Sequence, residues 1–168
     1  VYFENPNNCS GIPFTFNNEG IINTTAGLFH LIAHNGTHTG IFNNSATLTF
    51  SGTQTLSTSG NVTGSGIFNI PGTTIVNVPY SFVCSTINLG GTLNGTGEKT
   101  ISSGTTLNSY GTIGGPGNLI IANGGILNLG GLFGHYTINT TLQNYGTTNW
   151  NDGYLNYFCA VGVFINQA

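Results

Sequence analysis

The chain has 168 residues, a formal net charge of −3, and only 3% charged against 38% hydrophobic residues. That is long enough for one domain with a real core, and too apolar and too poor in charge for a disordered segment. The whole charged set is Glu4, Glu19, Glu98, Lys99 and Asp152, which excludes phosphate neutralisation and hence nucleic acid, excludes basic clusters for anionic lipid, and accompanies no apolar run near the roughly 18 residues of a membrane span.

The residue choice is β. Twenty-seven Gly, with many Thr, Asn and Ile, lower helix propensity throughout. Along the chain a four-residue phrase recurs: Gly, any residue, a large apolar residue, then Asn or Gly. It reads Gly20-Ile-Ile-Asn, Gly40-Ile-Phe-Asn, Gly66-Ile-Phe-Asn, Gly91-Thr-Leu-Asn, Gly111-Thr-Ile-Gly, Gly131-Leu-Phe-Gly and Gly153-Tyr-Leu-Asn. The intervals between successive starts are 20, 26, 25, 20, 20 and 22. Between the phrases, Ala46–Phe50 and Thr74–Val78 have the alternation and β-branching of strands. The lines starting at Gly91 and Gly111 match over their full length: Leu93, Ile101 and Leu107 fall on Ile113, Ile121 and Leu127, with Gly-rich breaks between.

A period in the twenties with β composition predicts an all-β fold: a right-handed parallel β-helix, or β-solenoid, of about seven coils of 20–26 residues with three short strands per coil. Residues 1–168 form one solenoid segment, read as part of a longer array or fibre. The third letter of the phrase gives the expected core column, Ile22, Phe42, Phe68, Leu93, Ile113, Phe133 and Leu155. A β-sandwich is the main rival and would need no in-phase repeats.

The runs GTHTGIFNNSATLTFSGTQTL, NVTGSGIFNIPGTT, LGGTLNGTGEKTISSGTTLN and LQNYGTTNWNDGYLNYF resemble the repetitive surface proteins typified by autotransporter passengers and filamentous-haemagglutinin-like adhesins. The resemblance covers about residue 16 to the end. It implies a right-handed parallel β-helix, an extracellular or cell-surface location, and a role in stalks, fibres or adhesion. It brings no catalytic residues, and three cysteines depart from the pattern of such repeats.

Cys9, Cys84 and Cys159 contain no Cys-x-x-Cys pair, so a zinc site is not supported. With coils about 4.8 Å apart, Cys84 and Cys159 would lie about 19 Å apart along the axis, beyond the roughly 7 Å of a disulfide. They read as buried thiols, as links to a neighbouring chain, or as members of an irregular, folded-back end. Asn-x-Ser/Thr occurs at Asn8, Asn23, Asn35, Asn43, Asn61, Asn94 and Asn139. Three of these, Asn23, Asn43 and Asn94, occupy the fourth letter of the phrase, next to an inward residue, and should face outward. They are candidate glycan acceptors in a secreted eukaryotic chain, or an asparagine ladder.

His30, His34 and His38 are interrupted by the Asn35-Gly36-Thr37 turn signal and read as surface histidines; no metal or cofactor is expected. Glu98 and Asp152 form no carboxylate pair of the kind glycoside hydrolysis needs, so the chain reads as a non-enzyme. Thr47-Leu-Thr49 and Thr53-Gln-Thr55 resemble the Thr-x-Thr ranks of ice-binding solenoids, but the slots matched at 105–106 and 125–126 hold Thr-Thr and Gly-Ile and break the rank. The reading is a structural segment of an extracellular fibre or stalk, with the sequon asparagines as candidate N-glycan acceptors and copies of itself as partners, head to tail or laterally. The alternative is an adhesin or carbohydrate-binding β-helix using exposed Tyr and Trp150.

Overall fold

The computed structural model describes residues 2–3, 14–32, 35–58, 62–130, 135–152, 154–156 and 162–167. Its regular structure is a parallel β-solenoid with three faces. Face 1 is an eight-stranded sheet, in order Tyr2–Phe3, Leu28–Leu31, Thr47–Phe50, Ile67–Ile70, Thr86–Leu89, Thr106–Ser109, Ile126–Leu129 and Thr147–Trp150. Face 2 stacks Asn35–His38, Thr53–Leu56, Thr73–Val76, Thr92–Asn94, Thr112–Ile113, His135–Ile138 and Tyr154–Asn156. Face 3 begins with Ile21–Thr24, Ile41–Asn44 and Val62–Thr63. It continues, through a bridge between Thr63 and Val83, into Tyr80–Phe82, Lys99–Ile101, Leu119–Ile121, Thr141–Asn144 and Val163–Asn166.

Paired residues on face 1 give the coil length directly. Leu28 pairs with Thr47, Thr47 with Ile67, Ile67 with Thr86, Thr86 with Thr106, Thr106 with Ile126 and Ile126 with Thr147. From Leu28 to Thr147 the offsets between partners are 19, 20, 19, 20, 20 and 21, whereas Tyr2 pairs with His30 at an offset of 28 and, on face 2, Thr112 pairs with Thr137 at an offset of 25. The longer phrase intervals have a simple cause. The phrase at Gly20 and Gly40 opens strands of face 3, that at Gly66 opens one of face 1, and those at Gly91 and Gly111 open strands of face 2. Each interval of 25 or 26 is therefore one whole coil plus one face. The same four letters serve different corners because a small residue suits a tight corner and most strands carry an inward apolar residue.

The expected single core column is therefore corrected. Phe42, Phe68, Leu93 and Ile113 are all buried, and Ile22 is half-buried against the core. They belong to three columns. Ile22, Phe42 and Val62 stack on face 3. Phe68 stacks between Leu48 and Ile87 on face 1, and Leu93 between Thr74 and Ile113 on face 2. Phe133 and the Leu155 side chain lie outside the described residues.

Alternation fixes which side chains enter the core. In Ile41–Asn44 and Ile67–Ile70, buried and more accessible residues alternate, the period of two of a strand with one wet face. Phe42, Phe50 and Phe68 meet edge to face, with ring centroids 5.3 and 5.0 Å apart, the arrangement aromatic quadrupoles favour. The corner between faces 1 and 2 is a stack of glycines. A Cβ on Gly91 would overlap the Gly72 carbonyl oxygen, and one on Gly111 the Gly91 carbonyl oxygen. The coils close to sheet spacing there only because those side chains are missing.

His38 departs from the surface reading: it points inward and is fully buried among Phe16, Phe42 and Phe50. Its Nδ1 accepts the Asn18 backbone N–H at 3.2 Å, so Nε2 carries the proton and donates to Gln54 Oε1 at 2.8 Å. Burial lowers the His38 pKa from 6.5, opposed by the Gln54 hydrogen bond. The unfolded chain then binds the proton first as pH falls, so the His38 contribution to stability is present above pH 6.5 and lost below it. The His38 ring should titrate with a midpoint below 6.5 in an NMR titration; a midpoint at or above 6.5 would contradict the burial.

Candidate functional surface

With the register known, the outer faces resolve into columns. On face 1 one outward column runs Thr47, Ile67, Thr86, Thr106, Ile126 and Thr147. Beside it run Thr49, Asn69, Asn88, Asn108, Asn128 and Asn149, joined by side-chain hydrogen bonds. Asn69 Nδ2 donates to Thr49 Oγ1 at 3.2 Å. Asn88, Asn108, Asn128 and Asn149 each donate from Nδ2 to the Oδ1 of the preceding member at 2.8–2.9 Å. Every donor points toward the N-terminal coil, so the amide dipoles align along the axis and reinforce one another. Such ladders are the side-chain counterpart of the backbone pairing between stacked parallel strands.

Face 2 carries an unbroken outward column of Thr53, Thr73, Thr92, Thr112 and Thr137. The slot that matches Thr47 on face 1 is Thr106, not Thr105, which is buried and donates from Oγ1 to the Phe82 carbonyl at 3.2 Å. The rank of hydroxyls is thus interrupted by Ile67 and Ile126 on face 1 and continuous on face 2. Sequence spacing alone misses this because a one-residue offset turns a side chain from outside to inside.

A break in the ladder should be felt at both neighbours. Asn108→Ala removes the acceptor of Asn128 and the donor to Asn88, both half-buried, and should cost about 1–2 kcal/mol. Chemical denaturation of the variant checks it; an unchanged midpoint and slope would mean that water replaces the ladder at no cost.

Of the sequon asparagines, Asn23, Asn35, Asn43 and Asn94 are exposed and Asn139 is half-buried, while Asn8 and Asn61 lie outside the described residues. Asn43 Nδ2 donates to Asn23 Oδ1 at 3.1 Å across one coil, so these two form a short ladder of their own. Asn94 faces outward beside buried Leu93, and its Oδ1 accepts the Gly95 N–H at 2.8 Å. Cys84 is buried, and burial pushes its thiol up to about 12. It fits a core thiol and is corrected as a candidate intersubunit link; Cys9 and Cys159 lie outside the described residues. His30 is half-buried on face 1, its Nε2 2.5 Å from Ser51 Oγ, whereas His38 lies inside face 2. His34 lies outside the described residues.

The feature least legible in the sequence is Lys99. It stands at an inward position of face 3, between Tyr80 and Leu119, with 0% of its surface exposed. Its Nζ donates to the carbonyl oxygens of Gly95, Gly97 and Gly117 at 3.3, 3.0 and 2.8 Å. Three carbonyls from two coils thus receive the three N–H bonds of one ammonium. Desolvation lowers its pKa from 10.5 to about 8. Tyr80, its neighbour in the column, accepts the Val62 N–H on its hydroxyl and has its pKa raised by burial.

No protein family, no curated protein and no solved structure matches the chain.

Proposed function

We propose that the chain is a structural segment of an extracellular fibre or stalk, non-catalytic, and made of stacked coils whose role is to hold shape and distance. The observation that carries this reading is the axial asparagine ladder, which adds a second set of aligned hydrogen bonds to the backbone pairing along face 1. Load along the axis is shared by many parallel bonds, and the exterior is kept in solution by neutral amides and hydroxyls. The resemblance to autotransporter-passenger and filamentous-haemagglutinin-like repeats supports the same reading. The exposed Asn23, Asn35, Asn43 and Asn94 are the acceptors for N-linked glycans under this proposal, and other copies of the chain are its partners.

Among the described residues the strand Thr147–Trp150 is the last of face 1, and Trp150, at an inward position of that strand, is 54% exposed. An edge strand is a template for one more parallel strand, and a copy adding there makes a heterologous contact that propagates. Negative-stain imaging over rising protein concentration is the test. Rods that lengthen are expected; discrete particles of one length, with a monomeric mass at about 1 mM, would refute the fibre reading.

A further inference from the structure

The corner from face 3 to face 1 changes length between two neighbouring coils. One coil spends four residues there, Ala122 to Gly125, between Leu119–Ile121 and Ile126–Leu129. The next spends two, Tyr145 and Gly146, between Thr141–Asn144 and Thr147–Trp150. Because Ile121 pairs with Asn144 and Ile126 with Thr147, the strands stay in register and the longer turn projects past the shorter one. The step is a groove of about 570 Å³ lined by Asn123, Gly124, Tyr145, Gly146, Thr147 and Gln167.

We propose that this groove binds a neutral saccharide. Tyr145 is 41% exposed and offers an aromatic platform for the C–H face of a pyranose ring. Around it stand the amides of Asn123 and Gln167 and the hydroxyl of Thr147, each able to donate and to accept, as sugar hydroxyls do. Apart from the Tyr145 phenol, no side chain lining the groove is ionisable, so an acidic or phosphorylated ligand would find no opposite charge.

The walls are fixed before any ligand arrives. Asn144 Oδ1 accepts the Gly146 N–H at 3.2 Å, Asn144 Nδ2 donates to Asn166 Oδ1 at 2.9 Å, and its carbonyl accepts the Gln167 N–H at 2.9 Å. The Tyr145 N–H donates to the Ile121 carbonyl and the Gly125 N–H to that of Ala122, both at 2.8 Å. Tyr145 Oη donates to Gln143 Oε1 at 3.4 Å. One buried asparagine thus holds the short turn and the strand beyond it, and little ordering cost remains for binding.

The test is calorimetry of the whole chain with cello-, malto-, manno- and fully N-acetylated chitohexaose, and with a hyaluronan hexasaccharide as the acidic control. At least one neutral hexasaccharide should bind, and Tyr145→Ala should weaken it about tenfold or more. Tyr145→Phe and Trp150→Ala should leave it within about twofold. Amide shifts of the wild-type chain should centre on Asn123, Gly124, Gly146 and Gln167, a readout that does not depend on any variant folding. The proposal is overturned if no neutral sugar binds at about 10 mM, if the acidic one is preferred, or if binding ignores Tyr145→Ala. Any of these outcomes leaves the fibre reading standing, since that rests on the ladder and not on the groove.

Discussion

Phe68→Ala should lose about 3–5 kcal/mol of folding stability, the range for emptying a fully packed aromatic site. Phe68 has no exposed surface. Its ring meets Phe50 edge to face at 5.0 Å and stacks on Phe82 at 6.4 Å, so contacts from two faces of the solenoid converge on it. It also sits between Leu48 and Ile87 of the coils on either side, and the cavity would open to both. The backbone around it is tied to those coils on two sides and cannot collapse inward to refill the space. Phe68→Leu, which keeps most of the volume, should cost about 1–2 kcal/mol. Guanidinium denaturation followed by far-ultraviolet circular dichroism measures both. A loss below about 1 kcal/mol for the alanine variant would mean that face 1 does not close over this side chain.

The second large effect is the pH dependence set by Lys99. Its folded pKa, about 8, lies below the ordinary 10.5. Between these values the unfolded chain holds a proton that the folded chain has released. Stability contributed by this group therefore rises with pH across the window, and the cost of burying the charge is fully present below pH 8. The displacement corresponds to at most about 3 kcal/mol, and an effect on the order of 2 kcal/mol is expected over the window.

Cys84 and Tyr80 act in the opposite sense, because burial raises both of their pKa values and their contribution falls once the unfolded groups ionise. The comparison that isolates Lys99 is the wild-type chain against Lys99→Met, in which Cys84 and Tyr80 are common to both. The stability difference should shift in favour of the wild type by about 2 kcal/mol between pH 8 and 10.5. A difference constant across that range would place the ammonium in water.

The coil and its three short strands are legible because the Gly91 and Gly111 lines repeat in phase over their full length, and the strands of one pair with those of the other at a constant offset of 20. Register elsewhere is not legible. Gly66 and Gly91 open strands on different faces, and a four-letter phrase cannot say which corner it turns. Asn94 stands on the outside, as its place one residue after inward Leu93 dictates. Lys99 gives no comparable signal, because a lone lysine next to glutamate looks like surface; only the carbonyls of Gly95, Gly97 and Gly117, brought together by two coils, make an inward ammonium tolerable. The asparagine ladder is visible as composition but not as contacts, since Asn69, Asn88, Asn108 and Asn128 align only once the coil length is known. The groove at Tyr145 depends on a two-residue difference between consecutive turns, a feature with no signature in any motif.

Axial stacking places residues about 20 apart in sequence one above another, and the amide ladder follows from it. Spin labels at Thr47 and Thr147, in a background where Cys9, Cys84 and Cys159 are serine, test it most directly. The two positions lie in one outward column with Ile67, Thr86, Thr106 and Ile126 between them. Five steps of about 4.8 Å predict about 24 Å between the backbones, and pulsed electron resonance should give one distribution centred within the reach of the labels from that value. A broad distribution, or one centred at less than half or more than twice that separation, would contradict the stacked coils and the ladder with them.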